Sequence, residues 1–321
     1  MVKPRLLFVH GIGGPRRADD ECREWAAALA EGMVHAGHSR RAKSLGQDTG
    51  FDISFAYYQD LFTDPHAQGE ENALDDVEAA LLHDLFEEML AAQLTEVADE
   101  QTAAVLRYAS AELRSSGDEQ GVGDVFRRVI NAATTLLGIG PLAIPGQWLS
   151  ARLLVRDLAQ VARYLARREP DELGRSLDQR IRERVRTAMG DGPTIVIAHS
   201  LGSVVTYEAL HDWPGDVPLF VTLGSPLAMR TVVRPRLRPT PPSTPGTVRR
   251  WLNFWDRDDI IVARPRLERD VLPNALGVVP VSRRVDSDGV WVHTATKYLA
   301  KADVGGPVAE TLEHLVDAAA R

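Results

Sequence analysis

The apolar positions follow two regimes that alternate along the chain. Leu6-Leu7-Phe8-Val9 is a continuous apolar run halted by His10-Gly11-Ile12-Gly13-Gly14, the pattern of a buried strand entering a glycine-rich loop. From Asp19 to about His38, apolar and small residues recur at helical spacing, with acids in the first turn. Ile53, Phe55 and Tyr57 then alternate within Phe51 to Tyr58, which predicts a second strand. Strand, helix and strand in this order predict a parallel sheet with crossover helices.

That rhythm stops at Glu70. Between Glu70 and Glu169 the periodicity is helical and no segment reads as a strand. Glu70 to Asp124 is crowded with Asp and Glu and has only Arg107 and Arg114 as cations, whereas the part from Arg127 onward is Arg-rich. Val129 to Ala151 carries no charge at all and is long enough to cross a bilayer. Pro141, Pro145 and the glycine and polar interruptions of the segment argue against one spanning helix. Two buried or lid helices joined between Gly138 and Pro145 are expected instead. Such a lid, with an apolar inner face, would suit an acyl chain and could rest transiently on a membrane surface.

The first rhythm then returns. Leu173, Leu177, Ile181 and Val185 recur every four residues, which predicts an amphipathic helix over Asp171 to Met189. A strand over Thr194 to Ala198 and a helix over Leu201 to Leu210 follow. Leu219 to Leu223, Val248 to Trp255 and Val278 to Val285 read as further strands, and Thr311 to Ala320 as a closing helix. The prolines between Arg234 and Thr247 mark a surface loop. The expected organisation is an α/β core, mostly parallel and flanked by helices, made of 1–69 and 170–321. A helical insertion or lid over 70–169 interrupts it before the strand that leads to Ser200.

Composition narrows this picture modestly. A chain of 321 residues suits one large α/β domain with an insertion. The net charge of −8 argues against nucleic acid as a partner. Cys22 is the single cysteine, which excludes an intrachain disulfide and a thiolate metal cluster. Lys3, Lys43, Lys297 and Lys301 are all the lysines; with abundant Ala and Arg, this is the signature of a high-GC bacterial coding bias. Met1 to Arg5 leads straight into the first strand without a secretory pattern, so a cytoplasmic protein is expected.

The chemistry centres on Ser200. Thr194-Ile195-Val196-Ile197-Ala198-His199-Ser200-Leu201-Gly202-Ser203 has the strand–turn–helix context of a nucleophile elbow, in which a strained turn requires small residues two positions either side of the serine. Gly202 meets that need, and Ala198 stands where glycine is commoner. The five-residue pattern alone also fits an incidental serine at a turn; the flanking strand and helix single it out. The N–H of Leu201, at the helix N-terminus, is placed to hold an oxyanion. The loop of His10, Gly11, Ile12 and Gly13 would supply the second donor, with Ile12 N–H the candidate. A phosphate-cradling reading of this loop fails, because neither the Lys-Ser/Thr of a P-loop nor the G-x-G-x-x-G spacing is present.

In an elbow fold the serine is followed by the acid and then the histidine. His211, on the helix after the elbow, would point away, and His314 reads as a surface residue of the last helix. That leaves His293, in a loop beyond the last strand that can fold back over the strand ends. His199 is read as structural. For the acid, the strand Trp251 to Trp255 is followed by Asp256, Asp258 and Asp259, and the turn register favours Asp259 with Asp256 second. Asp258 reads as solvent-facing, and Asp286 and Asp288 are outside candidates.

Together these segments resemble the α/β-hydrolase superfamily, in particular intracellular lipases similar to DDHD-domain phospholipases and GPI inositol-deacylase-like hydrolases. The likeness is carried by Val9 to Gly14, Asp157 with Tyr164-Leu165, His199 to Val204 with Tyr207 and Leu210, Leu223-Gly224-Ser225-Pro226-Leu227, Asn253-Phe254 with Asp259 and Arg264, and His293 with Tyr298. It covers Leu6 to Tyr58 and about Asp157 onward, not the insertion. Members place the acid in a turn resembling Asp-Pro-Val, whose register lands on Asp259, although Ile260-Ile261 replaces Pro-Val. The metal-binding acidic quartet of the DDHD domain proper has no counterpart, so neither a metal nor another cofactor is expected. The resemblance implies hydrolysis of carboxylic esters, often lipid-like, by Ser200, Asp259 and His293. A thioesterase or amidase would use the same groups, and a hydrolase-like binding protein would keep the pocket without turnover.

Overall fold

The computed structural model describes residues 2–14, 16–45, 50–62, 74–97, 99–114, 121–137, 151–257, 259, 261–262, 266–286 and 293–319. Six parallel strands form one sheet: β1 (Arg5–Val9), β2 (Asp52–Ala56), β3 (Thr194–His199), β4 (Phe220–Leu223), β5 (Trp251–Asp256) and β6 (Pro280–Val285), in the order β2-β1-β3-β4-β5-β6. Alternate residues of a strand face opposite sides of the sheet, and here both sides are covered. Leu7, Val9, Val196 and Ala198 enter a core shared with α7 (Leu177–Met189) and α8 (Leu201–His211). Leu6, Phe8, Ile195 and Ile197 enter a second core with α1 (Ala18–His35) and α10 (Ala302–Ala319). Two buried faces explain why β1 and β3 are apolar at nearly every position.

The strand order fixes where a site can form. From β1 the chain crosses to β2 on one side, whereas β3 lies on the other side of β1 and the later strands continue outward from it. The loops leaving β1 and β3 therefore diverge and open a crevice at the carboxyl ends of the strands. His10 to Gly14 and Ser200 are the residues at that crevice.

Between β2 and β3 lie α3 (Asp76–Glu96), α4 (Glu100–Arg114), α5 (Val122–Leu137) and α6 (Ala151–Ala166), matching the expected helical insertion. These helices are not an appendage. Leu82, Phe86, Leu106, Phe126, Leu136, Leu154 and Tyr164 belong to the same continuous core as Val9 and Val196. Of the uncharged segment 129–151, residues 129–137 end α5 with Val129, Ala132, Ala133 and Leu136 buried, and Ala151 opens α6. The expected joint, Gly138 to Pro145, lies outside the described residues. No described helix is long and apolar enough to cross a membrane.

Four expectations are corrected. The helix expected from Asp171 begins only at Leu177, because the Asp171 carboxylate accepts the N–H groups of Leu173 and Arg175 and holds the chain in a turn. Leu173, placed on the apolar face by its spacing, is 77% exposed. The closing helix, expected from Thr311, starts at Ala302 and includes the Gly305-Gly306-Pro307 triplet. Gly305 lies directly against the main chain of Gly32 on α1, where any Cβ would overlap, so the triplet serves a backbone-to-backbone helix contact. The Pro-rich loop is not wholly at the surface: Pro242 and Thr244 are buried and bond to the main chain of Leu272. A short helix, α9 (Ala295–Leu299), has no counterpart in the sequence reading.

Helix α8 is tied down by a buried ionic cluster. Glu208 binds Arg167 at 2.5 Å and Arg182 at 2.9 Å, Asp178 binds the same two arginines at 2.7 and 3.0 Å, and Tyr164 O–H donates to Glu208 at 2.6 Å. The signs balance, so each buried charge has an opposite neighbour. Glu208→Ala would leave two arginines facing one carboxylate in the interior. The expected cost is about 3–5 kcal/mol, read as a lower urea midpoint with an unchanged slope.

Candidate active site

Ser200 is the whole turn between β3 and α8, and it sits at φ 53°, ψ −130°. A side chain held there costs about 1–3 kcal/mol and persists only where its surroundings enforce it. The enforcing contacts are short. Ser200 N–H donates to Leu223 O at 3.0 Å, and Ser203 Oγ donates to Ser200 O at 2.6 Å while meeting Ser225 Oγ at 2.7 Å. Gly202 packs against the His10 carbonyl and Gly11 against the Ser200 side chain, each too closely for a Cβ. The Ala198 methyl is accommodated: it is fully buried in the core on the α8 side, between Val9 and Thr222 in register. Leu201 is the first residue of α8, where helix geometry leaves N–H groups without intrahelical acceptors.

His293 and Asp259 meet across the crevice. His293 Nδ1 lies 2.9 Å from both carboxylate oxygens of Asp259, and both side chains are buried. With the Nδ1 proton directed at the carboxylate, Nε2 is the basic nitrogen of the ring. The acid is fixed in turn: Ile261 N–H donates to Asp259 Oδ1 at 3.0 Å, and Tyr298 O–H donates to Oδ2 at 2.7 Å. Tyr298 Oη also accepts the Asp256 N–H at 3.1 Å, so one phenol on α9 joins the acid turn to the helix that follows His293. Burial, and then the Asp259 charge, push the Tyr298 pKa well up, which keeps it a donor. Gly224, with φ 53°, passes so close that a Cβ would lie 2.6 Å from Asp259 Oδ2 and 3.3 Å from the His293 ring. Leu223, which anchors Ser200, and Gly224, which borders the Asp259–His293 pair, are consecutive. The end of β4 is thus the common wall of both halves.

The loop after β1 is clamped from three sides. Tyr58 N–H donates to His10 Nε2 at 3.1 Å, His10 Nδ1 donates to Gly11 O at 2.8 Å, and Tyr58 O–H donates to His10 O at 2.5 Å. Gln160, on α6, takes the Gly13 N–H on Oε1 at 3.2 Å and returns Nε2 to Gly13 O at 2.9 Å. Gln59 Nε2 bonds the same carbonyl. Gly13 N–H is therefore engaged, which removes it as a second donor and leaves the expectation for Ile12 untouched. Tyr58, Gln59 and Gln160 escaped the sequence reading. The available signal was the pair Asp157 and Gln160, two polar residues among the buried positions of a strongly amphipathic helix.

Other residues stand apart. Asp256 ends β5, and the histidine partner is Asp259. His211 points to Ser243 O at 3.1 Å, while His314 and Asp286 are exposed. Asp258, Arg264 and Asp288 lie outside the described residues. His199, its ring 4.5 Å from that of His293, is buried, and burial, followed by His293 and His10, pulls its pKa well below the ordinary value. A cavity of about 260 Å³ opens beside Gly11, His199 and His293 and is walled further out by Arg16, Glu21, Glu24, Tyr57, Arg156 and Asp157. No protein-family model matches the chain, and a search of curated proteins returns no match.

Burial lowers the His10 pKa from its ordinary 6.5 to about 4. The unfolded chain therefore takes up this proton first as pH falls. The stability that depends on a neutral His10 is complete above pH 6.5 and is lost as pH falls toward 4, by up to about 1.4 kcal/mol per pH unit. Urea unfolding at pH 7, 5.5 and 4.5 should show this slope. His10→Gln should be less stable at pH 7 but show a shallower slope.

Proposed function

We propose that the protein is a serine hydrolase of the α/β-hydrolase type that cleaves carboxylic esters through an acyl-enzyme. The observation that carries this reading is Ser200 in a strained one-residue elbow, at the same crevice as a buried His293–Asp259 pair. The parallel sheet, the crevice at the strand ends and the chain order Ser200, Asp259, His293 support it.

In the proposed reaction His293 Nε2 removes the Ser200 Oγ proton as the oxygen bonds to the ester carbonyl carbon. The N–H groups of Leu201 and Ile12 hold the oxyanion, each such donor being worth about 10²–10³-fold in rate. Asp259 stabilises the imidazolium. When the intermediate collapses, the carbon–alcohol oxygen bond breaks and His293 returns its proton to the leaving alcohol. Water then attacks the acyl-enzyme through the same base, and the acid departs. Tyr298 keeps Asp259 from turning away from His293.

Ser200→Ala is expected to abolish turnover of p-nitrophenyl acetate and labelling by a fluorophosphonate, with the circular dichroism spectrum unchanged. Asp259→Asn is expected to lower kcat by about 10³–10⁴-fold by favouring the wrong tautomer of His293. Equal labelling of wild type and Ser200→Ala would disprove the assignment. A wild-type protein that is never labelled would favour a binding protein, and faster cleavage of matched thioesters or amides would move the reaction to those classes.

A further inference from the structure

The cavity beside His293 carries chemistry that ester cleavage itself does not use. Its outer wall holds two ion pairs, Arg16 with Glu21 at 3.2 Å and Arg156 with Asp157 at 3.4 Å, together with Glu24 and the Tyr57 phenol. An acyl chain placed there would desolvate both pairs without return. An anionic group would meet three carboxylates and two guanidinium groups. A neutral group with several hydroxyls fits, since each hydroxyl can donate to a carboxylate and accept from an arginine. The size agrees. A volume of about 260 Å³ holds roughly nine waters at ~30 Å³ each, the scale of a glycerol or a single sugar.

The inner wall adds an independent sign. His199 is only 6% exposed, and its Nε2 has no hydrogen-bond partner among the described residues. Buried side-chain nitrogens left unsatisfied are uncommon and mark places where something else binds. Asp259 is committed to His293, so it cannot serve His199. The edge-on Trp25 ring, 6.1 Å away, packs against the imidazole from α1. A neutral His199 can donate or accept at Nε2 according to its tautomer.

We propose that this cavity binds the hydroxyl-rich part of the substrate, so that the ester is one of a compact polyol or single sugar, with His199 as a specificity-determining contact. The inference rests on the serine-hydrolase reading and replaces a long acyl chain with a polar group in this cavity. A site built to bond substrate hydroxyls strongly rejects the analogue that lacks them.

The test compares kcat/KM for glycerol monoacetate and 6-O-acetylglucose with that for propyl acetate, which keeps the ester and loses the hydroxyls. The wild type is expected to prefer at least one hydroxylated ester by roughly 100-fold or more. His199→Phe keeps a ring against Trp25 and removes the nitrogen; it should cut that preference at least tenfold, mainly through KM. His199→Gln, which returns a polar end, should recover part of it. Fluorophosphonate labelling of Ser200 is followed in each protein. Labelled wild type that shows no hydroxyl preference, that favours p-nitrophenyl octanoate over both hydroxylated esters, or whose preference survives His199→Phe overturns the polyol inference and leaves the hydrolase reading standing. Absence of labelling in the wild type overturns both.

Discussion

The backbone of Ser200 is the constraint on which the other features depend. A residue at φ 53° between a strand and a helix stores strain, and that strain is offset only if the neighbours leave it no alternative. Leu223 O fixes its nitrogen, Ser203 fixes its carbonyl, and the β1 loop presses Gly11 against its side chain. The ionic cluster around Glu208 holds the helix that follows, two turns beyond the serine. Even the insertion takes part, since Gln160 on α6 clamps Gly13 and so sets the loop that faces the serine. A segment without β-structure of its own is therefore a structural partner of the elbow.

Electrostatics follows a similar logic. His10, His199 and His293 are all buried at the crevice, yet among the described residues a carboxylate bonds only His293. Burial depresses the pKa of His10 and His199, so both rings stay neutral and act through shape and hydrogen bonds. In the proposed reaction, a positive charge formed on His293 would face the Asp259 carboxylate. Tyr298 adds a dipole that points its proton at the same carboxylate.

Much of this was legible in the sequence because it rests on local patterns. The strands of the core are apolar runs with both faces buried, and their positions are recovered within a few residues. The elbow is a ten-residue signal that reads directly from Thr194 to Ser203. Asp259 and His293 were reached through turn register, elimination and resemblance, and the structure brings the two within hydrogen-bond distance. What escaped depends on distant partners. Leu173 has helical spacing but loses to the Asp171 turn, and the first turns of the closing helix were missed because the use of Gly305, contact with Gly32, lies across the fold. The polar character of the cavity escaped as well. Arg16 with Glu21, Tyr57 and Arg156 come from three separate stretches, and no periodicity links them.

The strand order also bears on how the molecule is made. Leu201 and Ile12, the two sides of the proposed anion cradle, come from strands adjacent in space but separated in sequence by α1, β2 and the whole helical insertion. β1 can pair with β2 soon after synthesis, but its other edge must wait for β3. His293 and Tyr298 emerge later still, and α9 is held by contacts with α1 and α10. On the ribosome, the free edge of β1 waits for β3 through the synthesis of the five helices α3 to α7, a long-range closure of the kind that slows folding and invites misassociation. Ser200 and its anchor Leu223 are therefore synthesised well before His293, the base of the proposed reaction.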